Sequence, residues 1–362
     1  MDMKTSPANA WDVHEQDFPR DAPLAAKAWF ALRYALLAPS SHNSQPWRFL
    51  VNGDIIELLA DRTRSLPVSD PYDRELIISC GAALFNLRSA LAHFGVWFNI
   101  SLFPSEAEPD LIARVRLAEG GKAGGTADRT ENPAANPIAK NGLAHLFPAI
   151  TRRATNRTPF SPIPVPERVV EGLCAEGASE GVAVKAVTDG KERGHVASLI
   201  AEADHIQFAD ARFRRELAAW IHPQRQRARD GMPAYALGVP RLMDFETPIT
   251  AMVIRTFDVG DGKAAHDAAL AAGSPLLLCF STTQDNAPAW LFAGQSLQRV
   301  LLQAKLEGYD ASYLNQPIEV PALRTQLRDM LQTGPYPQLL IRVGRGEPVA
   351  HTPRRAVDEL TN

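Results

Sequence analysis

The stretch AEGGKAGGTADRTENPAANPIAKNG, residues 118–142, most constrains what this chain can fold into. Gly, Ala, Pro and Asn fill it, and no core can be built from such a run. Apolar helical and strand patterns lie on both sides of it. The 362-residue chain therefore reads as two α/β runs joined by an exposed connection, in line with domains of roughly 100–200 residues. The boundaries are a first half at residues 1–120, a linker at 121–143 and a second half at 144–362. GGKAGGT inside the connection looks like a phosphate cradle. The Walker order GxxxxGKS/T is absent, however, and no apolar strand leads directly into it.

In the first half, AAKAWFALRYALLA (25–38) has helical spacing and stops at Pro39. WRFLVNGDIIELLAD (47–61) is two strand-like runs split by Asn52-Gly53, a type I′ hairpin signal. A long helix at 74–95 and strands VWFNISLF and ARVRLA follow. The second half predicts helices near 166–177, 191–207 and 211–221, and a strand near 182–188. Beyond them come a strand in GSPLLLCFST, a long helix in PAWLFAGQSLQRVLLQAKLEG, a short helix in PALRTQLRDML and a strand in PQLLIRVG. Residues 222–263 have no clean period. A stretch that long without structure reads as a lid-like insertion. The two halves share an order of elements without evident sequence identity.

Lys+Arg 38 against Asp+Glu 41 gives a net charge of -3, which offers no electrostatic footprint for nucleic acid or an anionic membrane surface. The longest apolar runs, such as PLLLCF, read as too short to span a bilayer. Cys80, Cys174 and Cys279 are far apart, with no CxxC. That predicts no disulfide framework and no thiolate zinc site. The scattered histidines lack metal-ligand spacing, so no metal is expected. The polar N-terminus has no apolar h-region, and a cytoplasmic location is the expectation.

Four segments carry chemistry. Pro39-Ser40-Ser41-His42-Asn43 joins a helix to a strand and offers short polar groups beside exposed backbone N–H. It can line a flat polar ring or simply be a stiff turn. Arg152-Arg153-Ala154-Thr155-Asn156-Arg157 sets guanidinium forks beside hydroxyls, a donor set that matches phosphate; a solvated basic turn is the alternative. Arg354-Arg355 is a basic pair near the end. Pro317-Ile318-Glu319 can present a backbone N–H to a ligand or be an ordinary helix start. No GxSxG or GxGxxG is present.

These four pieces, in this order, resemble the flavin-dependent nitroreductase superfamily, and most closely its fused, Acg-type branch. APSSHNSQPWRF carries the family resemblance. DPYDRELIISCGAALFNLRSAL and the run from AGQSLQRVLLQAKLEGYDAS into LNQPIE carry the fused branch. The resemblance covers about residues 24–358. It implies an α+β fold: two fused halves, each a mainly antiparallel sheet flanked by helices, a pseudo-dimer in one chain.

It also implies FMN at the seam. Pro39, Ser40, Ser41 and Asn43 would come from the first half; Arg153, Thr155, Arg157, Pro317, Ile318, Glu319 and Arg354 or Arg355 would come from the second. The first half has no arginine segment at its start, and the second has no PSSxN loop. One FMN per chain is therefore expected, and a monomer can function, with homo-oligomers left open. NAD(P)H is the implied transient donor, and an electron-poor nitro- or quinone-like small molecule the implied acceptor. By the same resemblance Arg157 lies near the ring's N1, the Glu319 N–H faces N5, and no side chain acts as a catalytic acid. Three arginine contacts contribute roughly 5–9 kcal/mol of the roughly 12 that nanomolar binding needs; ring burial supplies the rest. If Met232, Tyr235 and Leu237 of the insertion cover the ring, the alternative is an FMN-sequestering protein with little reductase activity.

Overall fold

The computed structural model describes residues 9–118, 140–222, 228–233, 252, 254–256 and 260–360. Its elements run α1 (Leu24–Ala35), β1 (Trp47–Asn52), β2 (Ile55–Ala60), α2 (Arg74–His93), β3 (Trp97–Leu102) and β4 (Leu111–Ala118), then α3 (Lys140–Ala144), α4 (Glu167–Ala178), β5 (Ala183–Val187), α5 (Gly190–Ala209) and α6 (Ala211–Ala219). After these come β6 (Ile221–His222), β7 (Met232–Pro233), α7 (Gly260–Gly273), β8 (Leu276–Thr282), α8 (Ala287–Leu306), β9 (Asp310–Tyr313), α9 (Gln316–Glu319), α10 (Pro321–Leu331) and β10 (Tyr336–Gly344). Residues 119–139, most of the expected linker, and most of 222–263, including Tyr235 and Leu237, lie outside the described residues.

Two four-stranded antiparallel sheets repeat one topology. The first has the order β1-β2-β4-β3, the second β5-β8-β10-β9. The helices repeat as well. α1 and α4 both have twelve residues after an N-cap proline, Pro23 and Pro166. α2 and α8 both have twenty. Each long helix stops at a left-handed glycine, Gly95 (φ 69°) and Gly308 (φ 79°). The next N–H then reaches back: Val96 N donates to Leu91 O at 2.9 Å, and Tyr309 N to Ala304 O at 2.8 Å. These are helix C-caps that glycine permits without a Cβ clash. The α+β pseudo-dimer follows directly from this repeat.

The seam is the crossing of α2 and α8, where Gly81 meets Gly294. Each lobe lends side chains to the other's core. Leu291 and Leu302 of α8 pack in the first lobe's cluster, and Ile78 of α2 in the second's. Burying each contributes about 1.5–3 kcal/mol. Among the described residues α2 alone is long and apolar enough to cross a membrane, but 83% of its most apolar 18-residue stretch is buried. The sequence argument from short apolar runs overlooked it, because its few polar residues interrupt each run.

The hairpin forms one residue later than expected. Asn52 pairs with Ile55, so Gly53-Asp54 is the turn. Gly53 has φ 62°, and neither neighbour has positive φ. Positive φ at the first central residue alone is the type II′ pattern, not the expected type I′.

Candidate functional site

The loop after α1 is strained and held from outside. His42, Asn43 and Gln45 have φ of 52°, 56° and 52°, each costing about 1 kcal/mol or more outside glycine. Tertiary hydrogen bonds offset this. Asn43 Nδ2 donates to Gly231 O (2.9 Å) and Pro353 O (3.0 Å), and its Oδ1 accepts from Arg354 Nη1 (2.6 Å). Gln45 Nε2 donates to Arg229 O (2.8 Å), and Gln45 Oε1 accepts from Arg355 N (2.8 Å). Ser40 Oγ accepts from Gln45 N at 2.9 Å. Ser41 Oγ donates to Glu75 Oε2 at 2.5 Å. Asn43 thus acts as the junction of loop, insertion and C-terminal segment, and its side chain is occupied within the protein. Pro39 fixes the entry to this loop.

The arginine segment is braced from within by Asn156 and from outside by Arg342. Asn156 is fully buried. Its Nδ2 donates to Asp310 Oδ2 (3.0 Å) and Glu347 O (2.8 Å), while its Oδ1 accepts from Thr158 N (3.0 Å). Arg342, also fully buried, donates to the carbonyls of Asn156 and Thr158 at 3.0 Å and to Ser312 Oγ at 2.7 Å. Its guanidinium lies 4.1 Å from the Phe160 ring centroid, and burial pushes its pKa down to about 10. A parallel bridge pairs Thr155 with Ala311 of β9. Arg152 is exposed and donates to Pro148 O, away from the site.

Arg153, Arg157 and Arg354 converge; Arg355 does not. The charges of the first three all act on the Tyr313 hydroxyl. Arg355 donates to Glu359 O (2.8 Å) and lies 3.9 Å from Asp61. Arg354 is pinned by Trp11, in the N-terminal stretch where the sequence offered nothing. Its guanidinium sits 5.1 Å from the indole centroid, a cation–π distance. The same indole stacks on His351 at 3.9 Å and donates Nε1–H to Thr352 O at 2.9 Å. Burial pushes the His351 imidazole down to about 4.

A carboxylate missing from the sequence argument links the lobes. Glu75, at the start of α2, is 5% exposed. Besides Ser41 it accepts from Arg74 Nη2 (2.9 Å) and from Asn315 Nδ2 of the second lobe (3.3 Å). Only tertiary packing brings Glu75 here; the one sequence cue is its acidic place in the first turn of an apolar helix. The Pro317–Glu319 turn is the short helix α9, with Pro317 and Ile318 buried. The Glu319 N–H donates to Asn315 O at 3.1 Å. The expectation that this N–H stands open for a ring nitrogen is therefore corrected: the helical turn already uses it. The Glu319 carboxyl accepts from Gln207 Nε2 at 2.6 Å, and burial, then the neighbouring Glu75, raises its pKa.

The electrostatics call for an anion. Arg153 is 4% exposed. Among the described residues it makes only two long hydrogen bonds, 3.5 Å each, to Thr155 Oγ1 and Leu37 O, and its Nε has none. Among the described residues it has no carboxylate partner. A buried guanidinium left so costs several kcal/mol, and burial lowers the pKa of both Arg153 and Arg157. Among the described residues the Tyr313 hydroxyl and His42 Nδ1 are enclosed without partners too. This donor set fits the phosphate of the FMN that the sequence resemblance implies.

The described start of the insertion is docked on the loop. Gly231 N donates to Asn43 O at 3.2 Å, and Asp230 pairs with Arg64 at 2.7 Å. Met232 is 6% exposed. Glu216 of α6 accepts from Val68 N and Ser69 N at 2.9 Å, tying the approach to the insertion onto the first lobe.

No family model matches the chain. It is 30% identical over 346 residues to the Mycobacterium tuberculosis protein named "Putative NAD(P)H nitroreductase Rv3131", covering 93% of this chain and 92% of that protein. It is 27% identical over 339 residues to "Putative NAD(P)H nitroreductase acg" of the same organism (91% and 93%). Against "Probable NAD(P)H nitroreductase PigM" of Serratia it is 26% identical over 344 residues (90% of each). Among solved structures, the FMN-dependent nitroreductase NfnB from Mycobacterium smegmatis in complex with NADPH aligns with 61% of this chain and 98% of its own, at 17% identity and a TM-score of 0.41. A score that low establishes nothing by itself. Identity of 30% along nearly the whole length does: the chain belongs to the nitroreductase family.

Proposed function

We propose that the protein is an FMN-dependent NAD(P)H oxidoreductase of nitroreductase type, with one FMN per chain at the seam between halves spanning about residues 1–120 and 144–362. The observation that carries this is Arg153: a buried guanidinium without a carboxylate partner among the described residues, converging with Arg157 and Arg354 on a loop from the other lobe. The names of the full-length relatives favour the same reading. Bound FMN would supply the hydride-transfer chemistry between NAD(P)H and an electron-poor small molecule.

The chain's own residues bind and orient. Arg153 and Arg354 hold the phosphate. Arg157 would supply positive charge to stabilise the reduced, electron-rich ring. Ser40, Ser41 and Asn43 keep the loop in shape, with Thr155, Pro317 and Ile318 in the surrounding wall. Glu75 fixes Ser41 and Asn315 across the seam. A single site is supported by the position after α4 that matches the loop after α1. There Glu180 is paired with Arg88 at 2.8 Å and Arg299 at 3.2 Å, an ion cluster in place of an anion cradle. This reading takes the protein to be cytoplasmic and able to work as a monomer.

Residues 229–231, docked on Asn43 and Gln45, favour a second reading, in which the insertion covers the flavin and the protein stores it. Anaerobic mixing with NADPH and with NADH separates the two. Rapid bleaching of the yellow colour supports the reductase; colour that persists with both donors supports storage.

A further inference from the structure

The Tyr313 hydroxyl is enclosed and, among the described residues, has no hydrogen-bond partner. Buried phenols almost always find one. Strand geometry defines what surrounds it. The bridge from Thr155 to Ala311, with Asn156 N donating to Ala311 O at 3.0 Å, runs the arginine segment parallel to β9. Two residues on from that bridge the two segments carry Arg157 and Tyr313, and the charge of Arg157 acts on the phenol. Side chains alternate along a strand. Ser312 is turned to Arg342, so Tyr313 faces the opposite way, toward the arginine cluster.

The phenol both donates and accepts, whereas arginine has only donors; Arg153, Arg157 and Arg354 can serve its oxygen but leave its O–H without an acceptor. The oxygens of Glu75, the nearby carboxylate, already accept from Ser41, Arg74 and Asn315. An anionic oxygen brought in by the ligand would satisfy the phenol and the arginines together.

We propose that Tyr313 is a phosphate-recognising residue of the flavin site, its hydroxyl donating to an oxygen of the phosphate held by Arg153 and Arg354 and so setting a preference for FMN over riboflavin. The inference rests on the function proposed above. Burial outweighs the nearby arginines and pushes the phenol up to about 12, so it remains a donor at neutral pH.

Titration of the apoprotein with FMN and with riboflavin, for the wild type, Tyr313→Phe and Arg153→Gln, tests it. Tyr313→Phe is expected to raise the FMN Kd about tenfold and to leave riboflavin binding unchanged. The apoprotein should melt at the same temperature or higher, because an unsatisfied hydroxyl is gone. Equal losses for both flavins, unchanged FMN affinity, or an apoprotein that melts lower would each overturn the inference. A wild type that binds neither flavin, or an Arg153→Gln variant with undiminished FMN affinity, overturns the proposed function itself. Indifference to Tyr313→Phe beside a clear Arg153→Gln loss overturns only the role of Tyr313.

Discussion

Gly81 and Gly294, each the eighth residue of its helix, touch across the seam so closely that a Cβ on Gly294 would lie 1.9 Å from Ile78 O and one on Gly81 2.3 Å from Leu291 O. Ile78 and Leu291 are in turn each the fifth residue of their helices. The contact is a local two-fold built from one chain. Gly294→Ala must force the helices apart and is expected to destabilise the protein by about 3 kcal/mol or more. Urea unfolding measures this; a loss under about 0.5 kcal/mol, the range of a neutral surface change, would contradict the close crossing.

Removing two of the converging guanidinium groups should empty the site without unfolding the chain. Arg153→Ala combined with Arg354→Ala is expected to give a folded, largely colourless protein. Circular dichroism checks the fold and absorbance near the flavin bands checks the content. Stoichiometric FMN in that variant would refute the phosphate assignment.

Trp11 offers a milder perturbation of the same site. Trp11→Ala removes the ring under Arg354 and the bond to Thr352 O. A cation–π contact contributes about 0.5–2 kcal/mol, so FMN affinity should fall about twofold to thirtyfold. Trp11→Phe keeps a ring and should recover part of it. Isothermal titration of both variants decides; equal affinities for the two would mean the ring face is irrelevant.

Acid-base behaviour offers a test away from the arginines. Asp204 of α5 is 1% exposed, and burial, then the neighbouring Asp267, raises it to about 7. The folded chain therefore keeps a proton that the unfolded chain releases above about pH 4. Between about pH 4 and 7 the native state binds more protons, so stability falls as pH rises through that window, by on the order of 4 kcal/mol at most. Asp204→Asn mimics the protonated form and should flatten the slope. Denaturant midpoints across the window measure it; an unchanged slope would assign the titration elsewhere.

Much of this molecule was readable because local rules and tertiary demand agree. Gly95 and the helix before it were legible from period and stop signal, and so was α8. The hairpin was legible too, but its turn was not: strand register, set by the buried faces of β1 and β2, moved it from Asn52-Gly53 to Gly53-Asp54. In the site, Ser41, Asn43, Arg153 and Arg157 stood out as clustered polar residues. Glu75, Tyr313, Arg342 and Trp11 did not. Glu75, Tyr313 and Arg342 belong to ordinary elements and Trp11 to a turn near the start of the chain; each gains its role only from what another part of the chain brings beside it. The Glu319 N–H was misread because a four-residue helix is too short to leave a period.

The strands β5 and β8 are direct neighbours in their sheet, yet α5, α6, β6, β7 and α7 intervene between them in the chain. Their counterparts β1 and β2 are joined by Gly53-Asp54 alone. In a homodimer any such excursion would appear twice, once over each cleft. Covalent duplication lifts that restriction: one copy can grow an elaborate embellishment while its twin stays minimal, so a single gene diverges into unequal partners that are always made in equal number.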